Sequence, residues 1–256
     1  MQAKLFRLGR RTLRHLLALL PASVQARIRA ACDQRRVRRS YAEPLVPEAE
    51  LENAYVRAVL WLSEAGRAGI GDYLEFGVCH GTSMTSMHRA LVRVGLGHVR
   101  MFGFDSFEGL PSEAAEDYGG WQPGQFDSDE DHTRELLTEA GVDWDRARLV
   151  RGWFSETLTP ELLAAEGLER RVSVVMVDCD LYVSAKPALD FCAAALGDRA
   201  IVFFDDWHAG GGLADRSMGE KRAFDEFLAE HPEFRAVERP ELRYAENAAV
   251  FLVTRT

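Results

Sequence analysis

The stretch from residue 73 to residue 94 reads YLEFGVCHGTSMTSMHRALVRV, and it predicts a strand, a glycine-rich turn and a helix in direct succession. Residues 73–76 form a short apolar run, whereas residues 82–94 carry apolar side chains at helical spacing. Similar pairs follow along the chain, and such repetition requires right-handed crossovers that build a mostly parallel sheet covered on both faces. The sequence therefore predicts a doubly wound α/β fold. Because such sheets bind ligands at the carboxyl ends of their strands, we look for functional residues directly after each strand.

The other predicted elements lie on both sides of this unit. We predict strands at residues 73–76, 99–104, 147–150, 172–177, 200–204 and 248–253, and helices at residues 47–66, 82–94, 131–139, 184–196 and 219–230. Residues 47–256 are thus assigned to one domain. Residues 111–130 interrupt the alternation, and their glycines, acids and aromatic rings indicate a lid over the active site.

Charge is distributed unevenly along the chain. The first 40 residues hold eleven Lys or Arg and a single acid, while the whole chain has a formal net charge of −9. Residues 1–46 are therefore predicted to be a basic, amphipathic N-terminal helical extension, suited to a homo-oligomer interface or to an anionic membrane surface. The acidic remainder would repel phosphate backbones, so we exclude nucleic acid as the main substrate and expect a small molecule or a glycan.

The four cysteines are Cys32, Cys79, Cys179 and Cys192, and their spacing matches neither a disulfide framework nor a zinc site. Such cysteine usage is typical of a reducing cytoplasm. No apolar run approaches the ~20 residues that a membrane span requires. We therefore expect a cytoplasmic protein, and peripheral contact with the inner membrane surface through the basic extension stays open.

The glycine-rich turn, EFGVCHGTS at residues 75–83, lacks the middle glycine of a dinucleotide fingerprint. Cys79 stands at that place. The turn therefore admits a ligand near Gly77 and Gly81 but suits a diphosphate poorly. S-adenosylmethionine has no phosphate, and its aminoacyl tail, sulfonium, ribose and adenine are compatible with such a turn.

Two further strand ends carry candidate cofactor contacts. The second strand ends in Asp105 and Ser106, and a carboxylate at this place can accept both ribose hydroxyls. A helix cap is the alternative role for this aspartate. Residues 152–154, Gly-Trp-Phe, follow the third strand, where apolar rings and backbone amides could enclose an adenine or simply belong to the core.

Four aspartates close the next two strands. The fourth predicted strand leads into Asp178 and Asp180, and the fifth leads into Asp205 and Asp206. As neighbours in a sheet, these strands end about 5 Å apart, where each like-charge pair costs about 3 kcal/mol at an effective dielectric of about 20. Such a cluster needs a bound cation or raised pKa values, and oxygen ligands suit Mg²⁺ or another hard divalent cation. One capping aspartate with the others in solvent is the alternative.

Six motifs occur in order: EFGVCHGTS, FGFDSFEGLP, RGWFSETL, VDCDLYVSAKPAL, FFDDW and GEKRAFDEF. With them the chain resembles, from about Asn53 to its C-terminus, the macrocin-type O-methyltransferases, which act on sugar hydroxyls of antibiotics and related glycans. The resemblance implies a class I methyltransferase fold, a Rossmann-like sheet of seven strands with an antiparallel C-terminal hairpin, and residues 234–256 have two apolar runs suited to that hairpin. It also implies S-adenosylmethionine as the methyl donor. Beside a sugar, a catechol stays open as the acceptor.

Carried over residue by residue, the resemblance implies that Asp178, Asp205 and Asp206 hold Mg²⁺, which grips two vicinal substrate oxygens. It also implies a larger set of cofactor contacts: Glu75, Phe76, Gly77, Gly81, Thr82, Ser83, Asp105, Ser106, Gly152, Trp153, Phe154 and Asp178. His208 follows the acid pair where the family often has other residues. The general base is therefore open among Asp178, Asp180 and His208.

The predicted reaction is an in-line displacement in which the cation lowers the pKa of the acceptor hydroxyl and a nearby base takes its proton. Three other classes of protein remain as alternatives. A nicotinamide oxidoreductase is disfavoured by Cys79 in the turn, and a metal-dependent hydrolase has no need of that turn followed by Asp105. A non-catalytic binding domain would keep the fold without the reaction.

Overall fold

The structure, a computed structural model, describes residues 46–64, 69–114, 121–207 and 218–256, and these contain seven strands, seven α-helices and a short 3-10 helix at Pro240–Leu242. The strands are β1 (Asp72–Phe76), β2 (Met101–Asp105), β3 (Ala147–Arg151), β4 (Val172–Val177), β5 (Leu196–Phe204), β6 (Phe234–Glu238) and β7 (Ala249–Arg255). The helices are α1 (Glu48–Ser63), α2 (Thr82–Val94), α3 (Glu130–Glu139), α4 (Phe154–Thr157), α5 (Pro160–Ala165), α6 (Tyr182–Ala195) and α7 (Gly219–Glu230). None of these helices is long and apolar enough to cross a membrane. The extension predicted for residues 1–46 lies outside the described residues, except for Val46.

The strands form one sheet in the order β3-β2-β1-β4-β5-β7-β6. The first five strands pair in parallel, whereas β7 lies antiparallel between β5 and β6. The order reverses between β1 and β4, and this is the place where a doubly wound sheet opens a crevice for a ligand. The predicted fold class, with its seven strands and antiparallel C-terminal hairpin, is confirmed.

The predicted elements differ from the observed ones mainly at their ends. β5 begins at Leu196 and not at residue 200, because Leu196 already pairs with Val172 of β4 and Arg199 pairs with Thr254 of β7. The short helices α4 and α5 escaped prediction, since four and six residues carry no readable periodicity. α5 depends on its first turn, where Thr159 accepts a hydrogen bond from the Leu162 amide and Pro160 occupies the first helical position.

Side chains of the central strands alternate between two hydrophobic cores. In β1, Tyr73 packs in the core that contains α1 and α2, while Leu74 and Phe76 pack in the core that contains α6 and α7. Burial on both faces explains the nearly continuous apolar runs of β1 and β4. The same alternation sends the carboxylate of Glu75 into the core beside α1, where it needs polar partners.

Candidate active site

A cavity of about 810 Å³ lies at the carboxyl ends of β1 to β5, the usual ligand position in an open parallel sheet. Its wall includes ten of the predicted site residues: Gly77, Asp105, Ser106, Gly152, Trp153, Phe154, Asp178, Asp180, Asp205 and Asp206. Five other predicted residues, Glu75, Phe76, Gly81, Thr82 and Ser83, are not part of this wall. His208 lies outside the described residues. The fold thus brings the glycine turn, the Asp105 strand end and the acidic strand ends to one site.

Neighbouring protein groups leave no room for a side chain at the two glycines of the turn after β1. Gly77 has a φ of +90°, and a Cβ at this position would lie 1.7 Å from the carbonyl oxygen of Asp178. Gly81 has a φ of +77°, and its Cβ would lie 2.7 Å from the Leu137 side chain. The sequence interpretation, close approach of a ligand at both glycines, is therefore incomplete. Packing against β4 and α3 already requires glycine at these two places.

Asp105 holds the glycine turn in place. Its Oδ2 accepts hydrogen bonds from the amides of Val78 and Cys79 at 2.7 and 2.8 Å. Its Oδ1 accepts from the amide of Phe107 at 2.7 Å. An ionised carboxylate has about four lone-pair sites, so an oxygen on the cavity wall still has capacity for a ligand hydroxyl. The predicted contact with ribose stays a prediction, and the structure adds a second role that the sequence did not indicate.

Glu75 lies behind the cavity wall and belongs to a buried network of hydrogen bonds. The hydroxyl of Tyr73 donates to its Oε2 at 2.6 Å, and the hydroxyl of Ser83 donates to its Oε1 at 2.8 Å. The network extends to Tyr55, whose hydroxyl lies 3.1 Å from that of Tyr73. Burial raises the pKa of Glu75 to about 8, against the opposing effect of its hydrogen-bond donors. Glu75 and Ser83 are thus bonded to each other beneath the turn, and their contact with a cofactor stays a prediction.

The end of β3 supplies an apolar part of the wall. The amide of Gly152 donates to the carbonyl of Asp105 at 2.9 Å, which joins this turn to the end of β2. Trp153 precedes α4, and the ring of Phe154 packs edge-on against Phe76 at a centroid distance of 5.8 Å. This surface lies on the same cavity as Asp105, as expected for an adenine and a ribose bound side by side.

The acidic cluster forms at the ends of β4 and β5. Asp178, Asp205 and Asp206 each offer one carboxylate oxygen, and these three oxygens lie within 4.8 Å of one another. Burial first, and then the neighbouring carboxylates, raise the pKa of Asp205 to about 6 and that of Asp178 well above its usual range. A divalent cation would offset both effects. Three converging carboxylates therefore fit a hard cation.

A second acidic group, Asp190, Glu230 and His231, differs in character. The ammonium of Lys186 already bonds to Asp190 at 2.5 Å and to Glu230 at 2.8 Å. These carboxylates have a positive partner from the protein itself, so the group needs no ion.

The predicted lid at residues 111–130 is described except for residues 115–120. Its base is closed by two backbone hydrogen bonds, from Leu110 to Gln125 and from Gly124 to Leu110, each 2.8 Å long. Trp121 and Phe126 pack against each other and line the cavity. The segment forms one side of the cavity, as a lid requires, and its closing motion stays a prediction.

Three residues of the site were missed by the sequence reasoning. Glu220 and Tyr244 contact the acidic strand ends, and Asn247 lines the cavity. Glu220 lies in the GEKRAFDEF motif, which contributes to the family resemblance but to which the sequence analysis assigns no functional role. Tyr244 and Asn247 lie in the connection between β6 and β7, and only the insertion of β7 beside β5 brings them to the site.

Comparison with protein families gives a match to the macrocin O-methyltransferase (TylF) model over residues 61–230. The chain belongs to this family. The matched range includes the turn after β1, the end of β2, the acidic cluster and all of α7, so the family assignment rests on the elements that build the cavity. The resemblance inferred from the six motifs is confirmed.

The individual proteins that this chain resembles share less than a third of its sequence. The chain is 29% identical over 144 residues to the 8-demethyl-8-(2,3-dimethoxy-alpha-L-rhamnosyl)-tetracenomycin-C 4'-O-methyltransferase of Streptomyces olivaceus, and the alignment covers 54% of this chain and 53% of that protein. The fold of this chain is similar to that of the O-methyltransferase NovP, with a TM-score of 0.61 and 21% identity over 80% of this chain and 79% of NovP. The fold is also similar to that of the calicheamicin methyltransferase CalS11, with a TM-score of 0.60 and 22% identity over 93% of this chain and 94% of CalS11.

Proposed function

We propose that this protein transfers a methyl group from S-adenosylmethionine to a sugar hydroxyl of a glycosylated metabolite or glycan, with the help of Mg²⁺ or another hard divalent cation. The observation that supports this best is the position of Asp178, Asp205 and Asp206 on the same cavity as the glycine turn and Asp105. The Streptomyces relative is named for methylation of a rhamnosyl hydroxyl on an aglycone, which favours a sugar over a catechol.

The glycine turn favours a nucleoside without phosphates over a dinucleotide. In a dinucleotide site, backbone amides of this turn and the following helix face the pyrophosphate. Here the amides of Val78 and Cys79 donate to Asp105 instead. Within the described residues, no Lys or Arg lines the cavity. An oxidoreductase that binds a nicotinamide dinucleotide is therefore disfavoured.

A bound divalent cation would supply an electrophile that lowers the pKa of a coordinated hydroxyl. The chain's own residues do the rest. The turn and Asp105 hold the nucleoside end of the methyl donor, while Trp153 and Phe154 exclude water from its base. Asp180 lies outside the set of three ligand oxygens, is 8% exposed and lines the cavity, so it is our candidate for the group that accepts the hydroxyl proton. Alignment of donor and acceptor in a dry cavity supplies much of the rate.

The test is methyl transfer from labelled S-adenosylmethionine to a panel of rhamnosides, other glycosides and catechols, with Mg²⁺ or with EDTA. We expect Asp205→Asn to lower turnover at least about 100-fold through loss of a charged ligand, while binding of S-adenosylhomocysteine stays within about twofold. Asp198→Asn is the matched control, because Asp198 is exposed and pairs with Arg170 on the surface. Full activity in EDTA would reject the role of the cation, and transfer to catechols alone would reject the sugar acceptor.

A further inference from the structure

We infer that Glu220 and Tyr244 are positioning residues that hold the acidic cluster in the arrangement that a divalent cation needs. The inference rests on the proposed function, since it concerns the same three aspartates. Neither residue lines the cavity, so neither is placed to touch a substrate or cofactor. Each contacts the cluster from a different element of the fold, Glu220 from α7 and Tyr244 from the connection between β6 and β7.

Glu220 joins the two strand ends that carry the aspartates. Its side chain is fully buried, and its Oε1 accepts a hydrogen bond from the amide of Cys179 at 3.2 Å. Its Oε2 accepts from the amide of Asp206, also at 3.2 Å. Cys179 lies two residues beyond β4 and Asp206 lies two residues beyond β5, so one carboxylate spans the gap between the two acidic turns. The separation of Asp178 from Asp206 is thereby fixed by a group on a third element.

Packing alone does not account for a carboxylate at position 220. An acid buried beside several aspartates is electrostatically unfavourable, and an apolar side chain would fill the same space without that cost. The feature that an apolar side chain lacks is the pair of hydrogen bonds to the amides of Cys179 and Asp206. The two bonds are therefore the contribution that only Glu220 makes at this position.

Tyr244 holds one aspartate from the opposite side. Its hydroxyl donates a hydrogen bond to Oδ1 of Asp205. The ring is 6% exposed and packs against Phe203 of β5 at a centroid distance of 6.2 Å, so the hydroxyl has little freedom to move. A bond to one oxygen fixes the rotation of the carboxylate group. Asp205 therefore presents its oxygens in one orientation before a cation arrives.

The physical reason for such bracing is the repulsion within the cluster. The carboxylate oxygens lie within 4.8 Å of one another and repel each other. Without a cation and without hydrogen bonds from the protein, the carboxylates would rotate apart, and cation binding would have to bring them together again. Hydrogen bonds from the protein remove that reorganisation, and the loss of such partners typically weakens metal binding by about 10- to 100-fold. Glu220 and Tyr244 act on cation affinity through the aspartates and not on the methyl donor.

Tyr244→Phe tests this inference, because it removes one hydroxyl and keeps the ring. The matched control is Tyr55→Phe, which removes a buried hydroxyl that is hydrogen-bonded to Tyr73 and to none of the three cluster aspartates. Manganese titration of the cofactor-free protein, followed by electron paramagnetic resonance, gives the dissociation constant for Mn²⁺. We expect about a 10-fold or greater weakening in Tyr244→Phe and less than about a twofold change in Tyr55→Phe. Calorimetry should give unchanged affinity for S-adenosylhomocysteine in both variants.

Glu220→Gln provides the second arm, because a glutamine has a single carbonyl oxygen and can satisfy only one of the two amides. Its control on the same helix is Glu226→Gln, where the side chain bonds to Tyr182 and Arg222 on the surface. Urea unfolding of each variant establishes that it is folded, and if Glu220→Gln does not fold, the Tyr244 pair decides alone. Native-like Mn²⁺ affinity in folded Tyr244→Phe would overturn the inference. No Mn²⁺ binding by the unaltered protein would instead overturn the cation in the proposed function.

Discussion

Substitution of Asp105 by alanine separates its structural role from a role in cofactor binding. The carboxylate accepts three backbone hydrogen bonds, from Val78, Cys79 and Phe107, and the first and last of these residues are 3% and 5% exposed. A hydrogen bond to a charged acceptor contributes about 1.5–3 kcal/mol. Because Asp105 faces the cavity, water can reach part of the vacated space, so we expect a loss of about 3–6 kcal/mol in the free energy of unfolding. That is a large fraction of the stability of a typical domain.

The assay is urea unfolding at neutral pH without any ligand, followed by circular dichroism. Asp129→Ala is the matched control, since Asp129 accepts one amide hydrogen bond, from His132, at the exposed start of α3. Loss of such a helix cap costs about 1 kcal/mol. If Asp105→Ala costs no more than this control, Asp105 does not hold the turn, and a role limited to ribose binding would be favoured.

Two other substitutions test the region beneath the cavity. Gly77→Ala should cost more than about 3 kcal/mol or prevent folding, because its Cβ would overlap the carbonyl oxygen of Asp178; Gly124→Ala, with a φ of +75° and open space around it, should cost only about 1 kcal/mol. Equal unfolding free energies for the two variants would contradict the packing argument. Because the pKa of Glu75 is raised from 4.5 to about 8, the folded state retains a proton that the unfolded chain releases, so stability should fall as the pH rises through this interval. Glu75→Gln should flatten that fall in unfolding measured at several pH values, and an unchanged slope would show that another group causes it.

The sequence by itself determined the fold class, the family and the ends of the strands at which to look. Alternating periodicity is a local property of the chain, and strand, turn and helix follow from it wherever the segment is long enough. The acidic cluster was also predictable, because parallel neighbouring strands end at the same edge of a sheet and bring Asp178, Asp205 and Asp206 together. The glycine turn could be identified in the same way, although the reason for its glycines could not.

Only the tertiary structure decided which residues support that site. The cofactor contact of Glu75 stays a prediction, but only the structure shows that the alternation of β1 places its side chain in the core beside Tyr73 and outside the cavity wall. No sequence pattern indicates Tyr244, because the bond to Asp205 exists only when β7 inserts beside β5 and carries its preceding loop to the acidic edge. Contacts of this kind join residues far apart in the chain. They depend on strand order and on which face a side chain occupies, and neither leaves a local pattern in the sequence.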